Sequence, residues 1–336
     1  PRCKRSSAIL EADFMILCVG AGFSADSGLA VYNDIANIGA YHRMGVSYSD
    51  LCDPYWMDND KEIFYGFWGK CFNDYRESNP HQGYNIIKRW KESYFSSESS
   101  DTKRFFIFSS NVDSHPQRMG FSEDEIYEIH GSIEEWQCQK PRKCIGNETI
   151  WRAPENFRFR VDLSSMRAPD CGIEDSGKGF DSNHPTCIEC GTLARPNILM
   201  FGDQDWFSKQ EQEESYNQWR AHTLEECKKG KKLVILEIGC GVRVPTVRNE
   251  SERFLSNEMK ESVTLIRINP DYPLTPYSDN EEYKTIEIQS KGLDAVKKID
   301  EFIRGEADLI PEDPLTPFPK GKQKETTFAK FSRYVR

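Results

Sequence analysis

The stretch FMILCV-GAGFSA, residues 14 to 25, decides how this chain is built. Phe14 to Val19 is a short apolar run without alternation, as expected of a strand buried on both faces of a parallel sheet. It stops at a glycine, and the G-x-G-x-x-A that follows opens a predicted helix. A glycine turn in that context is the fingerprint of a dinucleotide site. Gly20 permits the tight turn, Gly22 lets the backbone approach a pyrophosphate, and Ala25 keeps helix and strand close. Ala21 and Ser24 complete the turn, whose helix N-terminus offers unpaired N–H groups and partial positive charge to phosphates. Such turns also occur in α/β proteins for packing alone. The dehydrogenase version requires an acid closing a second strand about 20 residues on. Around Gly39 to Tyr41 there is neither strand nor carboxylate, which disfavours hydride transfer.

Working outward, similar apolar runs recur at 105–108, 198–201, 233–238 and 263–268, with a weaker one at 285–288. Helical patterns over 211–226 and 293–303 separate them. Strands alternating with helical connections predict a Rossmann-type parallel sheet with helices on both faces. Residues 33–95 lack a strand pattern and read as helices and a long loop. Residues 131–192 hold five cysteines among many polar residues, which predicts a small domain that needs a metal staple to fold. The predicted division is a large domain of 8–125 and 192–305, with a helical insert at 33–80 joining a small domain of 126–191. Ser96 to Ser100 reads as a flexible connection and 311–336 as a proline-rich, then basic, tail.

The 336 residues carry a net charge of −10, which argues against a nucleic-acid-binding surface dominating the molecule. No apolar run approaches the roughly 18 to 20 residues of a membrane span. Eleven cysteines, an odd count with irregular spacing, do not form a secreted disulfide framework. The expectation is an intracellular protein, cytoplasmic or nuclear. Cys18 and Cys240 lie in or beside apolar runs and read as small hydrophobes. Cys187 and Cys190 form a C-x-x-C pair followed by Gly191, which is zinc-ligand spacing.

Several motifs in order resemble the sirtuins. GAGFSADSGLAVYN, residues 20 to 33, is similar to their first signature. SNVDSHPQRMG, residues 110 to 120, matches a second, with Ser110 standing where the family has glutamine. EIHGS places His130 in the family's histidine–glycine pair. RPNILMFGD, LEIGCG and IRINP are similar to the later motifs, and Tyr32-Asn33 replaces the usual phenylalanine–arginine.

The resemblance implies an NAD-dependent protein lysine deacylase, with NAD consumed as co-substrate and zinc structural. It implies that His130 is the general base, a role suited to a histidine pKa of about 6.5, and that Asn111 and Asp113 line the nicotinamide pocket. NAD would also meet Gly20, Ala21, Gly22, Ser24, Ala25, Ser110, Gly239, Cys240 and Asn269. The acyl-lysine peptide would add as a strand beside Met200, Phe201 and Gly202. The zinc module would use Cys138, Cys144, Cys187 and Cys190, with Cys171 or His184 as alternatives to Cys144. Two rivals stay open: a mono-ADP-ribosyltransferase or NAD glycohydrolase on the same fold, and a non-catalytic NAD- or peptide-binding module.

Overall fold

The computed structural model describes residues 4–96, 103–146, 148–174 and 176–305. The serine-rich connection lies partly, and the 311–336 tail wholly, outside these residues.

Six strands form the main sheet: β1 (Phe14–Val19), β2 (Phe105–Ser109), β3 (Ile126–Glu128), β7 (Leu233–Ile238), β8 (Val263–Ile268) and β9 (Lys284–Ile288). They lie in the order β3-β2-β1-β7-β8-β9, and all their pairings are parallel. The chain leaves β1 toward one edge, then returns across it to build the other side. That reversal opens a crevice at the carboxyl ends of β1 and β7, where ligands of open α/β sheets bind.

Apolarity on both faces of β1 has a direct cause. Met15, Leu17 and Val19 face one core, with Trp90 of α2 (Gln82–Tyr94) and Val296 and Ile299 of α5 (Gly292–Arg304). Phe14, Ile16 and Cys18 face the other, with Tyr216 and Trp219 of α3 (Gln210–Lys228) and Val247 of α4 (Thr246–Arg253). A period-2 strand between two helical layers must be apolar at every position.

The smaller unit has an antiparallel sheet of β4 (Gly131–Cys138), β5 (Ile150–Arg152) and β6 (Ala194–Ile198), with β4 central. Two sequence expectations shift here. The apolar run at 198–201 is not a strand of the parallel sheet: β6 ends at Ile198, pairs with β4, and its chain turns at Phe201 and Gly202. Conversely β3, placed by sequence with the small domain, pairs with β2. The small unit also has a core of its own. Ile133, Trp136, Phe157, Phe159 and Phe180 pack with Tyr41, Phe64, Phe67 and Phe72 of the helical insert, the last three from α1 (Lys61–Glu77). A metal staple is therefore not the sole source of its stability.

Candidate functional site

The glycine turn meets the loop after β7 at the crevice. The Gly20 and Gly22 amides donate to the Ile238 and Gly239 carbonyls at 3.1 and 3.0 Å. A Cβ on either glycine would come within 2.8 Å of backbone atoms of that loop. Both glycines are thus required first for loop-on-loop packing, and their own N–H groups are spent there. Ala21 and Ser24 lie in the short helix Ala21–Ser24, with Ala25 as its C-cap.

Ser24 turns its hydroxyl toward Asp113 and Asn111. It donates a short hydrogen bond to Asp113 Oδ2 at 2.5 Å and accepts from Asn111 Nδ2 at 2.9 Å. Asn111 Nδ2 also reaches the Gly20 carbonyl at 3.1 Å, and Asp113 Oδ1 accepts the His115 amide at 2.9 Å. The two residues after β2 are thereby locked to the turn after β1, and both are buried. Sequence reading missed two neighbours. His115 is fully buried, with Nδ1 3.9 Å from Asp113 Oδ1 and neither ring nitrogen hydrogen-bonded among the described residues. Burial pushes its pKa down, against the pull of Asp113. Ser114 adopts φ of 56°, and its hydroxyl meets that of Ser132 at 2.6 Å, tying the Asp113 loop to β4. Both lie inside the quoted 110–120 stretch, but a lone serine and histidine there gave no periodic signal.

His130 sits between β3 and β4. Gly131 makes its sharp exit possible: it has φ of +79°, and a Cβ there would lie 1.9 Å from the Asn197 carbonyl oxygen. His130 Nδ1 is 3.2 Å from the Ser110 carbonyl oxygen. A carbonyl only accepts, so Nδ1 carries the proton and Nε2 keeps the lone pair. Burial lowers the pKa of this histidine, opposed by the Ser110 bond. Burial therefore favours the neutral ring, the form that can accept a proton at Nε2.

On the far side of the crevice, Cys240 is buried and its Sγ lies 3.7 Å from the Cys18 carbonyl oxygen, a packing role. Asn269 is fully engaged with the loops. Its Nδ2 donates to the Cys240 carbonyl at 2.9 Å, and its Oδ1 accepts the Asp271 and Tyr272 amides at 3.0 and 2.9 Å.

Met200 to Gly202 form a turn held from beneath. The Phe201 amide donates to the Cys52 carbonyl at 2.9 Å, while Arg195 and Asp203, both buried, form an ion pair. Phe201 is partly exposed beside Leu199. The Phe201 N–H is therefore not an open strand edge.

Four sulfurs gather at the end of β4. Cys138 and Cys190 are 3.7 Å apart, as are Cys144 and Cys187, and all four lie within 4.8 Å of one another. A tetrahedral zinc with bonds of about 2.3 Å has sulfur–sulfur edges of about 3.8 Å, so this donor set fits a structural zinc. Cys171 and His184 do not belong to it; His184 donates from Nε2 to the Ala168 carbonyl at 2.7 Å and stacks on Tyr65. With no metal bound, the Thr192 hydroxyl lowers the Cys190 thiol to about 6, while burial raises Cys138 and Cys144, so the cluster divides its protons unevenly. The length of β4, on the order of 20 Å, separates the cluster from His130, which makes its role structural.

Comparison with known proteins decides the family. The model of the Sir2 family matches residues 20–224, more than half of the chain. The chain belongs to the Sir2 family. An NAD-dependent protein deacetylase of Oceanobacillus iheyensis is 25% identical over 57% of this chain and 63% of its own length. An NAD-dependent protein deacylase of Candida albicans is 23% identical over 60% of this chain and 67% of its own. One from Corynebacterium glutamicum is 27% identical over 57% and 62%. The chain thus spans about two thirds of these relatives. A Sir2 homologue solved as a triple mutant with 2'-O-acetyl ADP ribose shares the fold at a TM-score of 0.57, with 16% identity over 92% of this chain and 99% of that one. Among the described residues of this Sir2 member, no helix is long and apolar enough to cross a membrane.

Proposed function

We propose that this Sir2 member is an intracellular NAD-dependent protein lysine deacylase. The observation that carries the reading is the Ser110–His130 hydrogen bond. It presents a neutral imidazole with a free Nε2 lone pair at the strand ends that also hold Asn111 and Asp113. Family membership and the named activities of the relatives support it.

The crevice fits NAD. Convergent buried groups at Ser24, Asn111 and Asp113 suit the carboxamide of nicotinamide, and the turn at Ala21 to Ala25 borders the path of the phosphates. The loops at Gly239, Cys240 and Asn269 suit the adenosine half. When bound, NAD supplies a leaving group and an electrophilic ribose carbon. The chain's own residues then act as follows. Asn111 and Asp113 orient the nicotinamide ring, held by Ser24, so that cleavage occurs in a dry, fixed pocket. His130 Nε2 takes the proton of a ribose hydroxyl. Met200, Phe201 and Gly202, supported by Arg195 and Asp203, provide the surface along which an acyl-lysine peptide lies.

The test is stoichiometry. With an acyl-lysine peptide, nicotinamide release should match O-acyl-ADP-ribose formation one for one, and fall sharply without peptide. Equal nicotinamide release with and without every acyl-peptide would replace the deacylase by a glycohydrolase or a transferase, according to whether ADP-ribose appears free or on protein. No release and no turnover would leave a binding module.

A further inference from the structure

Arg248 in α4 is 8% exposed and, among the described residues, has no hydrogen bond to Ser24, Asn111, Asp113 or His130. Its guanidinium is spent on backbone. Nη1 donates to the Cys240 carbonyl at 3.3 Å and the Tyr272 carbonyl at 3.0 Å, and Nη2 donates to the Leu274 carbonyl at 3.0 Å. Cys240 lies in the loop after β7; Tyr272 and Leu274 lie in the loop after β8. One planar fork therefore bridges two separate strand-end loops, with Nη1 spanning both and Nη2 adding a third carbonyl that one nitrogen at the Nη1 position would leave unpaired. Its charge is balanced by Glu237 Oε1 at 3.9 Å, itself held by Arg267 Nε at 2.7 Å. The bridged loops carry the apolar side chains Val242, Tyr272 and Leu274, which are 44%, 50% and 39% exposed. Exposed apolar side chains on two clamped loops at the end of a parallel sheet suit a flat, largely apolar ligand such as a purine base.

We propose that Arg248 is a positioning residue that fixes the spacing of these two loops and thereby the affinity for the adenosine half of NAD. The inference rests on the NAD reading given above. Arg248 is distant in role from His130, so its loss affects binding rather than chemistry.

Titration of the full chain with ADP-ribose, for wild type, Arg248→Met and Arg248→Lys, tests it. Arg248→Met, similar in length but without donors, should raise the ADP-ribose Kd about tenfold. Arg248→Lys, which reaches fewer carbonyls, should raise it less. In turnover, KM for NAD should rise by a similar factor, while kcat and KM for the acyl-peptide stay within about twofold. An unchanged ADP-ribose Kd in Arg248→Met overturns the inference, as does a fall in kcat at constant KM. Should Arg248→Met not fold, an unchanged Kd in Arg248→Lys overturns it equally. Wild-type chain that binds neither ADP-ribose nor NAD overturns the NAD reading and this inference with it. Wild-type binding with unaffected variants overturns this inference alone.

Discussion

His130 Nδ1 donates to the Ser110 carbonyl across the seam where β2 and β3 end, 3.2 Å apart, and this one bond sets both the tautomer and the aim of the ring. Replacing His130 by Ala should lower kcat by about 10² to 10⁴ while leaving ADP-ribose affinity largely unchanged, as expected when a base is removed from an intact pocket. Burial holds the His130 pKa below 6.5. On the proposed role the active form is the neutral one, so turnover should persist as pH falls to 6.5 and decline only below it. An acid limb centred above pH 6.5, or near-normal turnover in His130→Ala, would remove His130 from this role.

Zinc analysis should give one ion per chain, bound by Cys138, Cys144, Cys187 and Cys190. Cys144→Ser and Cys187→Ser should each lose the metal, lower Tm and abolish activity, whereas Cys171→Ser should keep the metal and the Tm. Because Trp136, Phe157 and Phe159 form a core with the helical insert, metal loss should leave much of the secondary structure in place. A fully unfolded small unit after chelation would show that this core contributes less than its burial implies.

The main sheet was legible because β1, β2, β7 and β8 carry apolar residues on both faces, a pattern that follows from burial between two helical layers. The dinucleotide turn was legible because close approach of Gly20 and Gly22 to the Gly239 loop excludes any side chain. Other parts were not. Ile198 to Phe201 has the same local composition as a parallel strand, and only pairing with β4 assigns β6 to the other sheet. The small unit's core joins Phe72 to Trp136 and Phe159, partners far apart in sequence with no local pattern to announce them. Arg248, His115 and Ser114 act through tertiary contacts, which single-residue context does not reveal.

Glu128, two residues before His130, offers a test that reads the interior near the base without touching it. It is buried at the end of β3, and its Oε2 has no hydrogen-bond partner among the described residues. Burial is the largest cause raising its pKa to about 8, with Glu135, Glu123 and Asp113 adding to the rise and Lys209 opposing it. In the unfolded chain the same carboxyl titrates near 4.5. The folded state therefore holds a proton that the unfolded state releases. The stability this contributes is fully present below pH 4.5 and is lost progressively as pH rises through about 8. Glu128→Gln keeps the shape and cannot ionise. Its Tm should match that of wild type near pH 4.5, exceed it increasingly up to about pH 8, and hold a constant excess above that. A Tm difference that is the same at both ends of that range would show that Glu128 ionises as an ordinary carboxylate in the folded protein.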